Sequence, residues 1–114
     1  MYIFNKKEYE CSLEAAMDVL GGKWRSIILW HLIEKKLRFS EIQKIVPNIS
    51  KKVLSEHLRV LEKNNLIIRT VYPTIPPSVE YEISPKGETL EYVLKQLEEW
   101  ARNNLSKDNN LFYS

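Results

Sequence analysis

Five polar side chains recur at a spacing that places them on one face of a helix. They are Lys51, Lys52, Ser55, Glu56 and Arg59, at positions i, i+1, i+4, i+5 and i+8. Lysine neutralises phosphate groups, whereas arginine can bond a guanine edge bidentately and glutamate can accept from cytosine. The set therefore has the chemistry to bind DNA. The simpler alternative is a solvated helix face with stray salt bridges.

The helix that would carry this set is well defined in the sequence. Leu54, Leu58 and Leu61 lie at i, i+4 and i+7, so they predict a buried stripe opposite the polar face. Ser50 is a good N-cap, and the amide groups at that helix end can also donate to a phosphate. The helix is expected to end near residue 64, where Asn65 can adopt left-handed backbone geometry.

A short helix precedes the polar one. Ser40 is predicted as its N-cap, with Gln43 three residues later as in a capping box and Phe39 packing just before the cap. Its apolar positions are expected to face inward; these are Ile42, Ile45 and Val46. Because Pro47 and Asn48 form a short break before the next helix, residues 40–64 are predicted to be a helix-turn-helix unit.

A β-hairpin is predicted after this unit, at about residues 66–83. The first strand, 66–72, is rich in β-branched residues, and the second, 79–83, alternates apolar and polar side chains. Arg69 and Tyr72 approach its uncharged loop, and Arg38 and Ser40 open the short helix. Arg38 and Ser40 are expected to contact the DNA backbone, and Arg69 and Tyr72 to contact DNA near the loop. A hairpin after a helix-turn-helix unit is typical of the winged helix fold.

The remaining elements are three helices. The first is predicted at about 12–20, capped by Ser12 and ended by Gly21 and Gly22. The second, at about 23–34, is apolar on most sides, so it should lie at the centre with Trp24 and Trp30 in the core. The last is predicted at about 85–105, where the Ser-Pro pair at 84–85 supplies a cap and a first-turn proline.

The apolar stripe of the last helix is longer than a body of this size can cover. We therefore predict a homodimer that packs on this stripe, rather than a stripe that packs only into the core. The expected interface residues on this helix are Leu90, Val93, Leu94, Leu97, Trp100 and Ala101. The predicted fold class is mainly α with a small β-hairpin, a winged helix-turn-helix.

Composition narrows the class of protein further. The 114 residues, 44% hydrophobic and 28% charged, fit one folded domain over 1–114. Residues 35–72 hold nine basic and three acidic side chains, a distribution that favours a polyanionic partner. With no signal peptide or membrane span, we expect a cytoplasmic protein. His31 and His57 lack neighbours at metal-binding spacing, and no catalytic motif is present, so we predict no metal, no cofactor and no enzymatic activity.

Taken together, these motifs resemble the HxlR-type family of winged helix-turn-helix regulators, which is related to the MarR group. The resemblance covers roughly residues 11–101. It rests on Cys11 and on the segments GGKW at 21–24, RFSEI at 38–42, IS at 49–50, RTVYP at 69–73, PP at 76–77, VEY at 79–81 and KG at 86–87. Ser78 departs from the pattern, because many relatives carry an arginine at that position of the wing.

The resemblance implies a transcriptional regulator that binds an inverted-repeat operator as a homodimer, more often a repressor than an activator. It also implies that the terminal helices form the homodimer interface, which adds Leu13 and Met17 of the first helix to the expected interface residues. Its two recognition helices would lie roughly 34–36 Å apart. Some family members sense oxidants or electrophiles at the position of Cys11, and a thiol at a helix amino terminus can react as the thiolate. The alternative for Cys11 is an inert cysteine or one that packs at the dimer interface. The alternative for the whole protein is a winged helix that binds another protein instead of DNA. No effector is indicated.

Overall fold

The computed structural model describes residues 1–107, so the last seven residues of the predicted domain lie outside the described part of the chain. The order of helices and the hairpin is as predicted, with added short strands. The elements are β1 (Tyr2–Phe4), β2 (Lys7–Tyr9), α1 (Ser12–Val19), α2 (Arg25–Glu34), β3 (Leu37–Arg38), α3 (Phe39–Ile45), α4 (Lys51–Lys63), β4 (Ile67–Tyr72), β5 (Ser78–Ile83), α5 (Pro85–Glu88) and α6 (Glu91–Asn104).

The core is built around α2 and α4. On α2, Ile28, Leu29 and Leu32 are fully enclosed, which confirms that this helix is central. They pack in one cluster with the leucine stripe of α4. Trp24 only borders this cluster, and Trp30 is 37% exposed, so the prediction that both tryptophans lie in the core was wrong for Trp30.

Helix α4 begins and ends as its sequence indicates. The Ser50 hydroxyl oxygen accepts a hydrogen bond from the amide of Val53 at 3.1 Å, and this satisfies one first-turn donor. After the helix, Asn65 has a φ of 61°, which confirms the left-handed stop. The amide of Leu66 then bonds the carbonyl of Leu61 at 2.9 Å, so the chain turns directly into β4.

Two helices start earlier than predicted, α1 by one residue and α3 by two. The N-cap of α1 is Cys11 rather than Ser12, and no side chain caps that end. The N-cap of α3 is Arg38 rather than Ser40, because the Glu41 carboxylate accepts from the Arg38 amide at 2.8 Å and supplies the capping bond from inside the helix. Ile45, predicted to face inward, is 41% exposed.

The wing is part of a three-stranded antiparallel sheet, not a hairpin that leans on helices alone. The strand order is β3-β5-β4, so β5 is central. Arg38 of β3 lies opposite Glu80, and Tyr72 of β4 lies opposite Ser78, next to the loop between the strands. The two-residue strand β3 was not predicted, because a run of two residues carries no periodic signal.

A second hairpin precedes the first helix and was also not predicted. Strands β1 and β2 pair antiparallel, with Phe4 opposite Lys7, and Asn5 and Lys6 between them both have positive φ. Phe4 is buried in the main core, whereas its neighbours in β1 are exposed. The hairpin thereby fixes the amino-terminal segment to the body.

The carboxyl-terminal helix is divided, whereas one helix was predicted over 85–105. Ser84 caps α5 as expected, since its hydroxyl oxygen accepts from the Gly87 amide at 2.9 Å and donates to the Asn65 carbonyl at 2.6 Å. The chain bends at Thr89 and Leu90 before α6 begins. A Cβ on Gly87 would lie 2.2 Å from the Leu66 carbonyl oxygen, so only glycine allows this approach.

Candidate nucleic-acid interface

The polar face of α4 is open to solvent along its whole length. All five side chains that the sequence singled out are exposed, on a helix held to the body by three buried leucines. None of its three basic side chains forms an ion pair within residues 1–107. The face can therefore contact a ligand without breaking internal bonds. The exposed set is Lys51, Lys52, Ser55, Glu56 and Arg59.

A groove separates the start of α3 from the wing. It has a volume of about 760 Å³ and brings together Arg38, Ser40 and Tyr72, three of the four residues outside the recognition-helix region that were predicted to contact DNA. Arg69, the fourth, is exposed on β4 but does not line this groove. Ile75, at the tip of the wing, is fully exposed.

The charge of the groove is moderated by an acidic side chain. Glu80 lies opposite Arg38 in the sheet, and the Tyr72 hydroxyl donates to the Glu80 carboxylate at 3.4 Å. The loop between Tyr72 and Ser78 carries no charged residue. Within strands β3, β4 and β5 and the loop between β4 and β5, the basic side chains are those of Arg38 and Arg69.

Apolar side chains remain exposed on α1 and α6. We call these the open apolar faces, comprising Leu13 and Met17 on α1 and Val93, Leu97 and Trp100 on α6; each is between 43% and 67% exposed. Three predicted interface residues do not belong to them. Leu94 is buried in the monomer core and Leu90 packs against it, because the inner side of α6 faces α2. Ala101 is half-buried.

A residue that the sequence reasoning missed belongs beside these faces. Tyr92 is 72% exposed and lines a groove along α6 together with Val93, Leu97 and Trp100. It escaped the prediction because it falls one position outside the apolar repeat. Its ring nevertheless extends the apolar surface of the helix.

Cys11 lies at the amino end of α1. The side chain is exposed and free, and the Cys11 carbonyl accepts from the Ala15 amide at 3.1 Å as the first bond of the helix. It precedes Leu13 by two residues, so the thiol is close in sequence to the open apolar face of α1. Packing inside the monomer does not account for it.

A chain of polar contacts, not predicted from the sequence, joins the amino-terminal hairpin to α4. The Tyr9 hydroxyl donates to the Asp18 carboxylate, which also pairs with Arg25 at 3.2 Å, and Arg25 lies 3.3 Å from Nδ1 of His57. The bond to Asp18 raises the pKa of Tyr9. Burial lowers the pKa of His57, and the charge of Arg25 lowers it further, against a weaker opposite effect of Glu56. The sequence signal for these contacts was Arg25, a charged residue at the start of an otherwise apolar helix.

Other classes of site have less support. No three histidine, cysteine or acidic side chains group to hold a metal ion within residues 1–107. Over the same residues, no helix has the length and apolar character needed to cross a membrane.

Comparison with known proteins places the chain in a family. The family model described as HxlR-like helix-turn-helix matches residues 19–109. The HTH-type transcriptional regulator YtcD of Bacillus subtilis is 45% identical over 102 residues, covering 90% of this chain and 81% of the relative.

Solved structures agree with this assignment. The redox regulator HypR in its oxidized form superposes with a TM-score of 0.80 and 41% identity, covering 84% of this chain and 99% of that one. The reduced form of the transcriptional regulator YodB from Bacillus subtilis gives a TM-score of 0.74 and 33% identity, covering 89% and 100%. This chain therefore belongs to the HxlR-like helix-turn-helix family and is a DNA-binding transcriptional regulator with a winged helix fold.

Proposed function

We propose that this regulator binds an inverted-repeat operator as a homodimer and represses transcription there. The observation that carries the proposal is that one small domain exposes two different surfaces. One is the unpaired polar face of α4, which matches DNA in chemistry. The other consists of the open apolar faces of α1 and α6, which a second copy would cover.

In this proposal α4 is the recognition helix in the major groove. Lys51 and Lys52 contact phosphates together with the helix amino end at Ser50, because they lie in its first turn. Ser55, Glu56 and Arg59 lie further along the same face and contact base edges. Arg38, Ser40, Arg69 and Tyr72 contact the DNA backbone beside it.

The dimer sets the spacing of the two recognition helices. Leu13, Met17, Val93, Leu97 and Trp100 form its centre, with Ala101 at the edge. Two-fold symmetry then presents the helices to successive major grooves, roughly 34–36 Å apart. A protein with this role acts on the chromosome in the cytoplasm and has no enzymatic activity of its own.

We further propose that Cys11 makes the regulator responsive to thiol oxidants. The exposed thiol and its place at the end of α1 support this, as does the similarity to a structure described as a redox regulator. The Cys11 thiolate attacks one sulfur of a small disulfide, the disulfide bond breaks, and the other half leaves as a thiolate. The bulky mixed disulfide would then lie beside the open apolar face of α1.

The test is fluorescence-anisotropy binding to DNA flanking the gene of this protein, against a scrambled duplex, over a salt series. We expect tight, sequence-preferring binding that weakens steeply with salt. Lys51→Ala should weaken binding to both duplexes and reduce the salt slope by about one. The control is Lys95→Ala, which removes an exposed lysine on α6. It should leave the affinity for both duplexes and the salt slope unchanged.

Treatment with a small disulfide completes the experiment. Loss of operator binding by the wild type, retained by Cys11→Ser, would support the redox role. Equal binding by both proteins before and after treatment would contradict it while leaving the operator proposal standing. If neither duplex is bound at low salt, the winged helix as a protein-interaction module becomes the better hypothesis.

A further inference from the structure

The guanidinium of Arg25 joins parts of the molecule that are distant in sequence. Its Nε donates to the Val19 carbonyl at 3.1 Å, and another of its nitrogens donates to the Asp18 carbonyl, so it closes the carboxyl end of α1. A third nitrogen faces His57 Nδ1 on α4 at 3.3 Å. The side chain is only 13% exposed, and the guanidinium lies 5.9 Å from the centre of the Phe4 ring.

The orientation of this guanidinium is itself fixed. The Asp18 carboxylate pairs with Arg25 through one oxygen and accepts from the Tyr9 hydroxyl through the other. Charge-assisted hydrogen bonds of this kind are short and directional. Tyr9 of β2 thus helps to hold Arg25 toward α4, although the tyrosine is far in sequence from the recognition helix.

The leucine stripe fixes which face of α4 points inward, but it restrains small rotations of the helix less sharply than a directional contact would. Leu54, Leu58 and Leu61 are all buried, and apolar burial is non-directional. A hydrogen bond depends steeply on angle. His57 borders the leucine stripe and is half-buried, so its bond to Arg25 restrains the rotation that aims Arg59 and Glu56 outward.

We propose that Arg25 is a positioning residue for DNA recognition, which links α1 and the amino-terminal hairpin to the orientation of α4 through His57. The inference rests on the proposed function, in which α4 reads DNA and α1 lies at the dimer interface. Under this inference, a single side chain, only 13% exposed, joins the helix that sets the dimer geometry to the helix that reads bases.

The test compares variants that remove or keep the acceptor on α4. His57→Leu removes it, whereas His57→Asn keeps an oxygen close to the place of Nδ1. We expect His57→Leu to weaken operator binding between about 2- and 30-fold. It should also lower the ratio of operator affinity to scrambled-duplex affinity. His57→Asn should restore the operator affinity and this ratio. Tyr9→Phe, remote from α4, should weaken binding in the same direction but less.

The double variant Tyr9→Phe with His57→Leu shows whether the two substitutions weaken operator binding through the same chain of contacts. If they do, it binds no more weakly than His57→Leu alone. Binding is measured at a temperature where unfolding curves show every variant fully folded, which separates positioning from stability.

Proton NMR gives a readout that needs no DNA. The chain has two histidines, His31 and His57, so the ring signals of His57 can be compared with those of His31. Tyr9→Phe should shift the His57 ring signals and leave those of His31 in place.

The outcomes separate this inference from the proposed function. A wild type that prefers the operator, together with variants that bind like it, would overturn the positioning role alone. Unchanged His57 signals in Tyr9→Phe would also overturn it, whatever the DNA result. A wild type without operator preference would contradict the proposed function, and this inference with it.

Discussion

Helices α4 and α6 are nearly equal in length, 13 and 14 residues, and both are amphipathic. Their apolar sides nevertheless differ in burial. On α4 the leucine stripe is completely enclosed, with Leu54 and Leu61 at 0% exposure. On α6 only Leu94 is buried, whereas Leu97 and Trp100 are more than half exposed.

The difference separates two uses of the same sequence pattern. On α4, apolar burial within one chain holds the helix in place and leaves its polar face free for DNA. On α6, most of the apolar side is left uncovered by the chain itself, and in the proposed dimer a second copy buries it. A helical apolar repeat therefore predicts a buried face, but not whether the same chain buries it.

The largest expected effect concerns the enclosed stripe. Leu58→Ala removes a side chain that is 1% exposed, so we expect the free energy of unfolding in denaturant to fall by about 2–5 kcal/mol. Leu97→Ala is the matched truncation on α6. Its cost should be smaller and depend on protein concentration, since only the partner buries that side chain. Equal, concentration-independent losses would break the contrast between the helices.

The second prediction tests the open face of α6. The double variant Leu97→Gln with Trp100→Gln should sediment as a folded monomer and bind the operator about 100-fold more weakly, because one half-site must bind without the other. The matched control, Lys95→Gln with Arg102→Gln, places the same amides on other exposed positions of α6. It should remain a dimer. A dimeric double variant would show that the interface lies elsewhere.

A third prediction sharpens the role of the α4 polar face. Arg59→Ala should cost about 1–3 kcal/mol in operator binding and relax the preference at one base pair of each half-site, measured with single-base-pair operator variants. Arg102→Ala removes an exposed arginine that pairs with Glu98 at 3.1 Å on α6, and it should leave operator binding unchanged. If Arg59→Ala weakens binding to all duplexes equally, Arg59 contacts phosphates instead of base edges.

The smallest effect is a pH dependence carried by α4. Because the folded-state pKa of His57 is lowered, the unfolded chain binds more protons between that pKa and about 6.5. The free energy of unfolding should therefore fall as the pH drops below about 6.5, and level off below the folded-state pKa. Unfolding measured from pH 8 to 5.5 should lack this slope in His57→Asn. The same slope in both proteins would contradict the assignment.

The features predicted correctly from the sequence are those with a strong local signal. The cap at Ser50, the leucine stripe and the left-handed Asn65 each follow from one residue type at one position. The errors arose where a contact that the expected pattern did not include decides. Glu41 caps α3 from inside the helix, so Arg38 replaces Ser40 as its first boundary residue.

The interface prediction failed in part for a related reason. Leu94 and Leu97 share one apolar repeat, and only the position of α2 decides that the first is buried. The strands β1 and β3, three and two residues long, are too short for periodicity to reveal. The contact between Arg25 and His57 joins residues 32 apart in the chain, a distance at which no local pattern operates.

The central position of β5 limits how the wing can adjust to DNA. The strand is paired on both sides, to β4 along the hairpin and to β3, which runs directly into α3. The base of the wing is consequently fixed to the helix-turn-helix unit rather than hinged to it. Each subunit should then cover a half-site of constant length. On a half-site with altered spacing, the DNA must bend or twist to meet the wing.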